Sequence, residues 1–436
     1  MASQVLPVDE HIRALLEGDA DTQPCDEGDL EQLDLQVPSW FDEHKFKRGQ
    51  EYIQRNMMGA FGVALSGLLC VLAVPSILKI LVKTQKSSTV EGAYRRYLST
   101  SKHVYSWYFE DIRPGTTTWK SLTTVRMRHL KNSKISQVRG DGIISQRDLV
   151  LTQFGFFSLA LLKPQSIGME HDNLQDLEAY THFWRTIGYM IGIHDRYNLC
   201  RPSLEETKLV SQVICDKVYK NFLQNPPEYF FHMVVDLLDG MWYLDTSLNT
   251  KAFIYYTYHL VGVPGFTISK ADPRIPYITT GNIFKEITEN GDNSTKDCEN
   301  SYKDVFDSAK ICKDLNKNVG ITTQKDDDKT NGFLKHENLS EDNKLNPDKL
   351  IASFDWAAKF TLFLIFVVYK SWMFTEFGRW YYNIRTRVIM WFACYLPFMA
   401  FWRFGIKRSY VNMFVDDIIL PGQPKTNKEM LDKLYT

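Results

Sequence analysis

Hydrophobic and polar positions divide the chain into stretches of different texture. Residues 1–37 are polar and acidic, with Asp9, Glu10, Glu17, Asp19, Asp21, Asp26, Glu27, Asp29 and Glu31 and little to bury. They read as a flexible acidic arm with room for a short helix around His11 to Leu16. From Pro38 the run PSWFDEHKFKRGQEYIQRN reads as an amphipathic helix with Phe46, Tyr52 and Ile53 on its apolar face. Met57 to Leu78 then offers 22 uncharged residues, and a bilayer span needs about 20. Pro75 interrupts this run. Gly59, Gly62, Ser66 and Gly67 give it a face of small residues suited to close helix packing, in protein or in lipid.

Glu91 to Lys102 reads as helix, and Ser145 to Lys163 as a capped one: Ser145 at the start, Asp148 in the first turns, Pro164 beyond the end. A further helix runs through LEAYTHFWRTIGYMIGIHDRYNLCRPSLEE, and Leu204–Leu223 and Glu228–Leu248 continue as helices. The aromatic stretch Phe253–Leu260 fits helix or strand. Residues 286–350 are dominated by Asn, Asp, Lys, Ser and Thr and predict a disordered insertion. Beyond it the apolar runs Thr361–Tyr369 and Val388–Trp402 flank SWMFTEFGRWYYNIRTR. Each run is shorter than a usual span, and aromatic and basic residues beside short apolar runs are what a membrane interface selects. The expected organisation is therefore an acidic arm at 1–37, a helical domain at 38–285, a polar insertion at 286–350, and membrane-dipping or hairpin C-terminal helices at 351–436.

Composition adds little discrimination. Lys and Arg (51) nearly balance Asp and Glu (52), which gives no argument for a nucleic-acid partner. An aromatic content of 14% suits a cavity for a bulky apolar ligand, but equally a large helical core or a membrane-facing surface. The seven cysteines form no CxxC pair, which argues against a structural zinc site. Cys298 and Cys312 share the polar insertion and can pair if it lies in an oxidising lumen. The glycan acceptor patterns at Asn293 and Asn338 matter only there. The acidic start lacks a signal-peptide pattern, so an internal segment is expected to provide any route to a membrane.

Three places carry candidate chemistry. In Thr123–Leu130, TTVRMRHL, His129 follows Arg126 and Arg128 and is a candidate metal or haem ligand, with an ordinary surface or core histidine as the alternative. Arg96 and Thr100, at i and i+4, share a helix face, with a solvated basic patch as the alternative reading. Trp184, Gly188 and Gly192 recur every four residues and offer an aromatic and two bare backbone patches to a flat cofactor or to another helix. His182 and His194 flank this segment and can line a pocket or simply pack.

Taken in order, these pieces resemble the family that includes the fungal endoplasmic-reticulum-bound oxygenase of mycophenolic acid synthesis and the bacterial latex-clearing (rubber) oxygenases. Pro38, Trp40, Asp42 and Arg48-Gly49-Gln50 match its opening pattern. Thr124-Val125-Arg126 through His129 match the second motif. Trp184-Arg185, Ile187-Gly188 and Ile191-Gly192-Ile193, closing near Pro202 and Glu205, match the third. The resemblance covers residues 38 to 210. It implies an all-α fold with a globin-like core holding haem b, with His129 as the iron ligand and Arg126 beside it pairing with a propionate or a helix end. It places Arg96 and Thr100 on the distal side, where Arg96 would stabilise O2 or a propionate by charge-assisted hydrogen bonds.

Two departures stand out. Ser99 replaces the Lys of the rubber oxygenases, and no Asp or Glu lies between Glu51 and Glu91, where those enzymes carry a base. The resemblance also favours a place inside the domain for Met57–Leu78. The expected function is a haem-dependent oxygenase at a membrane, that of the endoplasmic reticulum. It would use O2 on a hydrophobic, isoprenoid or unsaturated lipid-like substrate, with membrane lipid as a partner and no nucleic acid. The alternatives are a haem- or lipid-binding protein that keeps the fold without turnover, and a structural or adaptor membrane protein without cofactor.

Overall fold

The computed structural model describes residues 6–28, 33, 35–267, 344–416, 419–420 and 422–436. The expected disorder of the insertion, the Cys298–Cys312 pair and both glycan sites fall outside the described residues, apart from the insertion's last few. The helices in order are α1 (Val8–Leu16), α2 (Glu43–Arg55), α3 (Met57–Leu72), α4 (Pro75–Thr84), α5 (Val90–Phe109), α6 (Thr117–Val138), α7 (Gln146–Leu162), α8 (Pro164–Ile167), α9 (Leu174–Met190), α10 (Leu204–Ile214), α11 (Lys220–Gln224), α12 (Phe230–Met241) and α13 (Thr250–Val261). After the insertion come α14 (Pro347–Ala352), α15 (Trp356–Lys370), α16 (Glu376–Tyr395), α17 (Phe398–Phe404), α18 (Ile406–Ser409) and α19 (Asn427–Tyr435). Among the described residues there is no strand, and the fold is all-α.

Caps set many of these boundaries. Ser145 and Asp148 form a reciprocal capping box at the start of α7, and Pro164 opens a separate short helix behind it. The aromatic run at 253–260 lies wholly within α13, where tertiary burial outweighs its strand-like composition. The run from Leu204 is continuous in direction but changes at Cys215–Tyr219, which forms a π-helical turn before α11.

The core is organised by two close helix crossings. On α2, a Cβ at Gly49 would lie 2.5 Å from the Ala179 carbonyl oxygen of α9. On α3, a Cβ at Gly67 would overlap the Gly155 carbonyl of α7, and one at Gly155 would lie 2.9 Å from the Gly67 carbonyl oxygen. The small-residue face of α3 is thus used against a helix of the same domain. Leu69, Cys70 and Leu72 are buried there, and α3 turns by 91° from α2. The long apolar run belongs to the core because its small face admits α7 backbone against backbone.

The acidic N-terminal stretch is ordered in the described part. Ile12, Leu15 and Leu16 share one face of α1, are buried, and take His11 inside with them. Glu10 stays outward, so the acidic composition hides a short hydrophobic stripe. At the other end of the chain, Trp356–Phe374 is the single stretch long and apolar enough to cross a membrane on its own among the described residues.

Gly67→Ala should force α3 and α7 apart and destabilise the domain by about 1–3 kcal/mol or more, read as a lower urea midpoint with an unchanged slope. A second outcome concerns acid. Burial, then the nearby Arg201 charge, lowers the His11 pKa to about 4. The unfolded chain takes that proton near pH ~6.5, so it binds more protons than the folded chain between those values, and stability falls as pH drops through that window. His11→Leu should lessen the loss between pH 7 and pH 4 by on the order of 2 kcal/mol, read from thermal unfolding at both pH values.

Candidate functional site

Two helix faces line one cavity of about 270 Å³. From α5 come Arg96, Ser99, Thr100, His103 and Trp107; from α6 come Val125, Arg128, His129 and Asn132. Both sets follow the three- and four-residue spacing of a single helix face. The other walls are largely apolar, with Leu68, Val71 and Leu72 from α3, Ile77 and Leu81 from α4, and Trp184 and Ile187 from α9. An apolar cavity with a few converging polar groups is the usual form of a small-molecule site.

His129 is the polar group with the most unusual surroundings. Its Nδ1 is buried without a hydrogen-bond partner. A buried polar atom left unpaired costs about 1–3 kcal/mol, so the position is not explained by core packing alone. Burial, then the Arg96 and Arg128 charges, lower its pKa to about 4. The imidazole is therefore neutral near pH 7, the form that donates a lone pair to a metal. Close by on α5, the Ser99 hydroxyl is also buried and unpaired. Thr100 donates to the Arg96 carbonyl oxygen at 3.2 Å. Arg96 itself lines the cavity. The structure thus brings His129, Arg96 and Thr100 to one cavity.

Arg126 lies elsewhere. It is not among the cavity-lining residues; its Nε donates to the Asp26 carboxylate of the N-terminal stretch. Burial pushes the Asp26 carboxyl up, but the Arg126 bond, the Gly28 N–H and the charge of Arg126 outweigh it and hold it below its ordinary value. Arg126 thus braces the outer flank of α6. Of the two glycines near Trp184, Gly188 lines the cavity and Gly192 does not. A Cβ at Gly188 would meet the Gln153 side chain, and Gly192, at φ 110°, passes 2.8 Å from the Cys25 carbonyl oxygen by the same measure. Trp184 lines the cavity and stacks on Phe156 at 5.7 Å. His182 accepts from the Asp42 N–H at 3.1 Å, and His194 stacks on Tyr197; neither lines the cavity.

Two lining residues carry chemistry that the sequence pattern did not single out. His103 pairs through Nδ1 with the Ser121 hydroxyl at 2.7 Å, which also accepts from Trp107 Nε1 at 2.8 Å. Burial, then Arg128, lowers the His103 pKa to about 4. Arg128 Nη1 lies 3.3 Å from His103 Nε2, and its Nη2 donates to the Val415 carbonyl at 2.7 Å. The signal was available: His103 sits seven residues after Arg96, on the same face. Asp148 is the acid in the lining among the described residues. Its carboxylate accepts from the Ser76 hydroxyl at 2.6 Å and the Ser145 N–H at 3.0 Å.

The segment from α18 to Asp416 straps over α5 and α6. Arg95 donates to the carbonyls of Arg408 and Tyr410, Lys102 donates to that of Val411 at 2.7 Å, and Phe414 sits edge-on to His103 under Lys120. The C-terminal helices are thus tied directly to residues of the cavity wall.

Arg126→Met should leave Asp26 buried without its partner, cost about 2 kcal/mol, and make residues 19–28 an early site of limited proteolysis, while His129 keeps its low pKa in an NMR titration.

Residues 52–209 match the family model described as ER-bound oxygenase mpaB/B'/Rubber oxygenase, catalytic domain. No curated protein matches the chain. A solved structure of latex clearing protein LCP in the closed state is similar at 22% identity and a TM-score of 0.43, covering 56% of this chain and 67% of that one. The matched segment contains α3 to α9 and with them every residue named above as lining the cavity. The similarity to the ER-bound oxygenase/rubber oxygenase catalytic-domain family model thus extends over the helices that build the cavity.

Proposed function

We propose that this chain is a membrane-associated, haem-dependent oxygenase acting on a hydrophobic substrate, an isoprenoid or unsaturated lipid carrying a C=C bond, at the endoplasmic reticulum. The observation that carries the reading is His129: a neutral imidazole with a buried, unpaired Nδ1 on the wall of an apolar cavity. The residues fit haem b. His129 would hold the iron, the apolar walls suit a flat macrocycle, and Arg96, Arg128 and Lys86 offer cations for its carboxylates. When bound, the haem supplies the redox-active iron at which O2 is activated.

The chain's own side chains do the rest. Arg96 offers charged N–H donors to the cavity beside Thr100, and the unpaired Ser99 hydroxyl stands where relatives carry Lys. Trp184, Phe156 and the leucines of α3 exclude water and accept an apolar substrate. Arg126, through Asp26, positions α6 and so His129, without a propionate contact of its own. In this reading residues 38–285 form the oxygenase domain, with a globin-like seat for the haem between α5 and α6.

One observation favours a second reading, a haem- or lipid-binding protein without turnover. The acid in the cavity wall, Asp148, has its carboxylate committed to Ser76 and the α7 cap, which leaves it poorly placed to take a proton from substrate.

The detergent-purified protein should show a Soret band that His129→Ala abolishes or shifts and His103→Ala retains. A colourless protein from haem-replete cells, or a His129→Ala spectrum identical to wild type, would sink the assignment. Consumption of O2 with an unsaturated lipid or isoprenoid separates the oxygenase from the non-catalytic reading.

A further inference from the structure

We propose that α15 to α18 form an in-plane anchor, lying within one leaflet of an anionic membrane without crossing it; this rests on, and sharpens, the membrane part of the reading above. The helices have two unlike sides. On α15, Ala358, Leu362 and Tyr369 are buried against the domain, while Trp356, Phe360 and Leu364 form an exposed row at intervals of four. On α16, Thr386, Met390 and Ala393 are buried, whereas Phe377, Trp380, Ile384, Val388, Trp391 and Tyr395 are exposed along the opposite stripe. Trp402 on α17 is 93% exposed. So large an exposed apolar surface marks a binding face.

Length and composition alone would let Trp356–Phe374 span a bilayer. The contacts at its two ends argue otherwise. Just before α15, Lys251 Nζ donates to the Ser353 carbonyl at 3.1 Å. Along its last turn, Tyr369 stacks on Tyr256 at 5.8 Å. Just after it, Arg379 pairs with Glu170, and Arg385 with Asp245 at 2.5 Å. Both ends are therefore held by charged and polar groups of one folded domain. Placing them on opposite sides of a bilayer would tear those contacts or drag ion pairs through hydrocarbon. Lying flat keeps every one of them and buries the aromatic stripe.

Charge selects the occupant. Residues 356–410 contain eight basic side chains and a single acid, Glu376, in a chain whose charges nearly balance as a whole. Arg387, Arg403, Lys407 and Arg408 are exposed among the aromatic residues. Tryptophan and tyrosine with flanking cations match the headgroup layer of an anionic membrane, whereas a second copy of the chain would bring like charge to like charge.

Two measurements test this on the full chain. Ala352→Cys and Glu376→Cys, each compared with the wild-type cysteine background, are probed in intact microsomes with a membrane-impermeant maleimide. An in-plane anchor requires both sites to label or both to be protected; one on each side would overturn it. Purified protein is then mixed with vesicles of phosphatidylcholine alone or with phosphatidylserine added. Flotation should be at least five-fold greater with the anionic vesicles and should fall at least as much in the Trp380→Ser/Trp391→Ser/Trp402→Ser variant, whose circular dichroism should be unchanged. Equal flotation on both vesicles, or none, would also overturn it. A colourless protein that still floats with both ends on one side keeps the anchor and loses the haem reading, and the reverse pattern does the opposite.

Discussion

The contact on which the structure depends is the meeting of Gly67 with Gly155. Neither helix can carry a side chain there, because each glycine faces the other's carbonyl group. Close backbone approach fixes the relative position of α3 and α7 with little freedom, since packed interiors do not yield to even one added carbon. The consequence reaches the cavity. Leu68, Val71 and Leu72 follow Gly67 along α3, and Thr152, Gln153 and Phe156 flank Gly155 on α7; all six line it. The α3 and α7 part of the cavity wall is therefore placed by a crossing at which neither helix carries a side chain.

Within that frame the electrostatics are one-sided. Arg96 and Arg128 contribute positive charge to the lining, and the acid in it is held by two hydrogen bonds. Both His103 and His129 are kept neutral by burial and by Arg128, with Arg96 adding to the effect on His129. The difference between them lies in their partners. His103 is committed to Ser121 and faces Arg128, while Nδ1 of His129 is committed to nothing in the protein. Two histidines with similar proton affinity are thus separated in role by hydrogen bonding. The free one is on α6, whose outer flank is pinned through Arg126 and Asp26.

Arg128 also joins the cavity to the C-terminal strap, and the strap leads back to α18 and the aromatic helices. The exposed aromatic helices and the cavity wall are thereby linked through the hydrogen bonds that hold the strap on α5 and α6. The segment that matches the family model ends at residue 209, and the strap and the aromatic helices lie outside it.

The amino-acid sequence by itself determined most of the helices, because caps, breakers and apolar periodicity act over a few residues. Ser145, Asp148 and Pro164 mark α7, and the stripes on α15 and α16 are readable as intervals of three and four. It also placed Arg96, Thr100 and His129 on helix faces, and the ordered motifs pointed to their association. What only the tertiary structure decided was the partner of each face. Arg126, three residues from His129, turns to Asp26; His103, unmarked by any motif, turns to the cavity; and the 22-residue apolar run is enclosed as core. Those outcomes depend on contacts between residues a hundred or more positions apart, such as Arg126 with Asp26 and Arg128 with Val415. A local pattern specifies that a residue has a side to face. Which neighbour occupies that side is fixed by long-range packing and charge pairing.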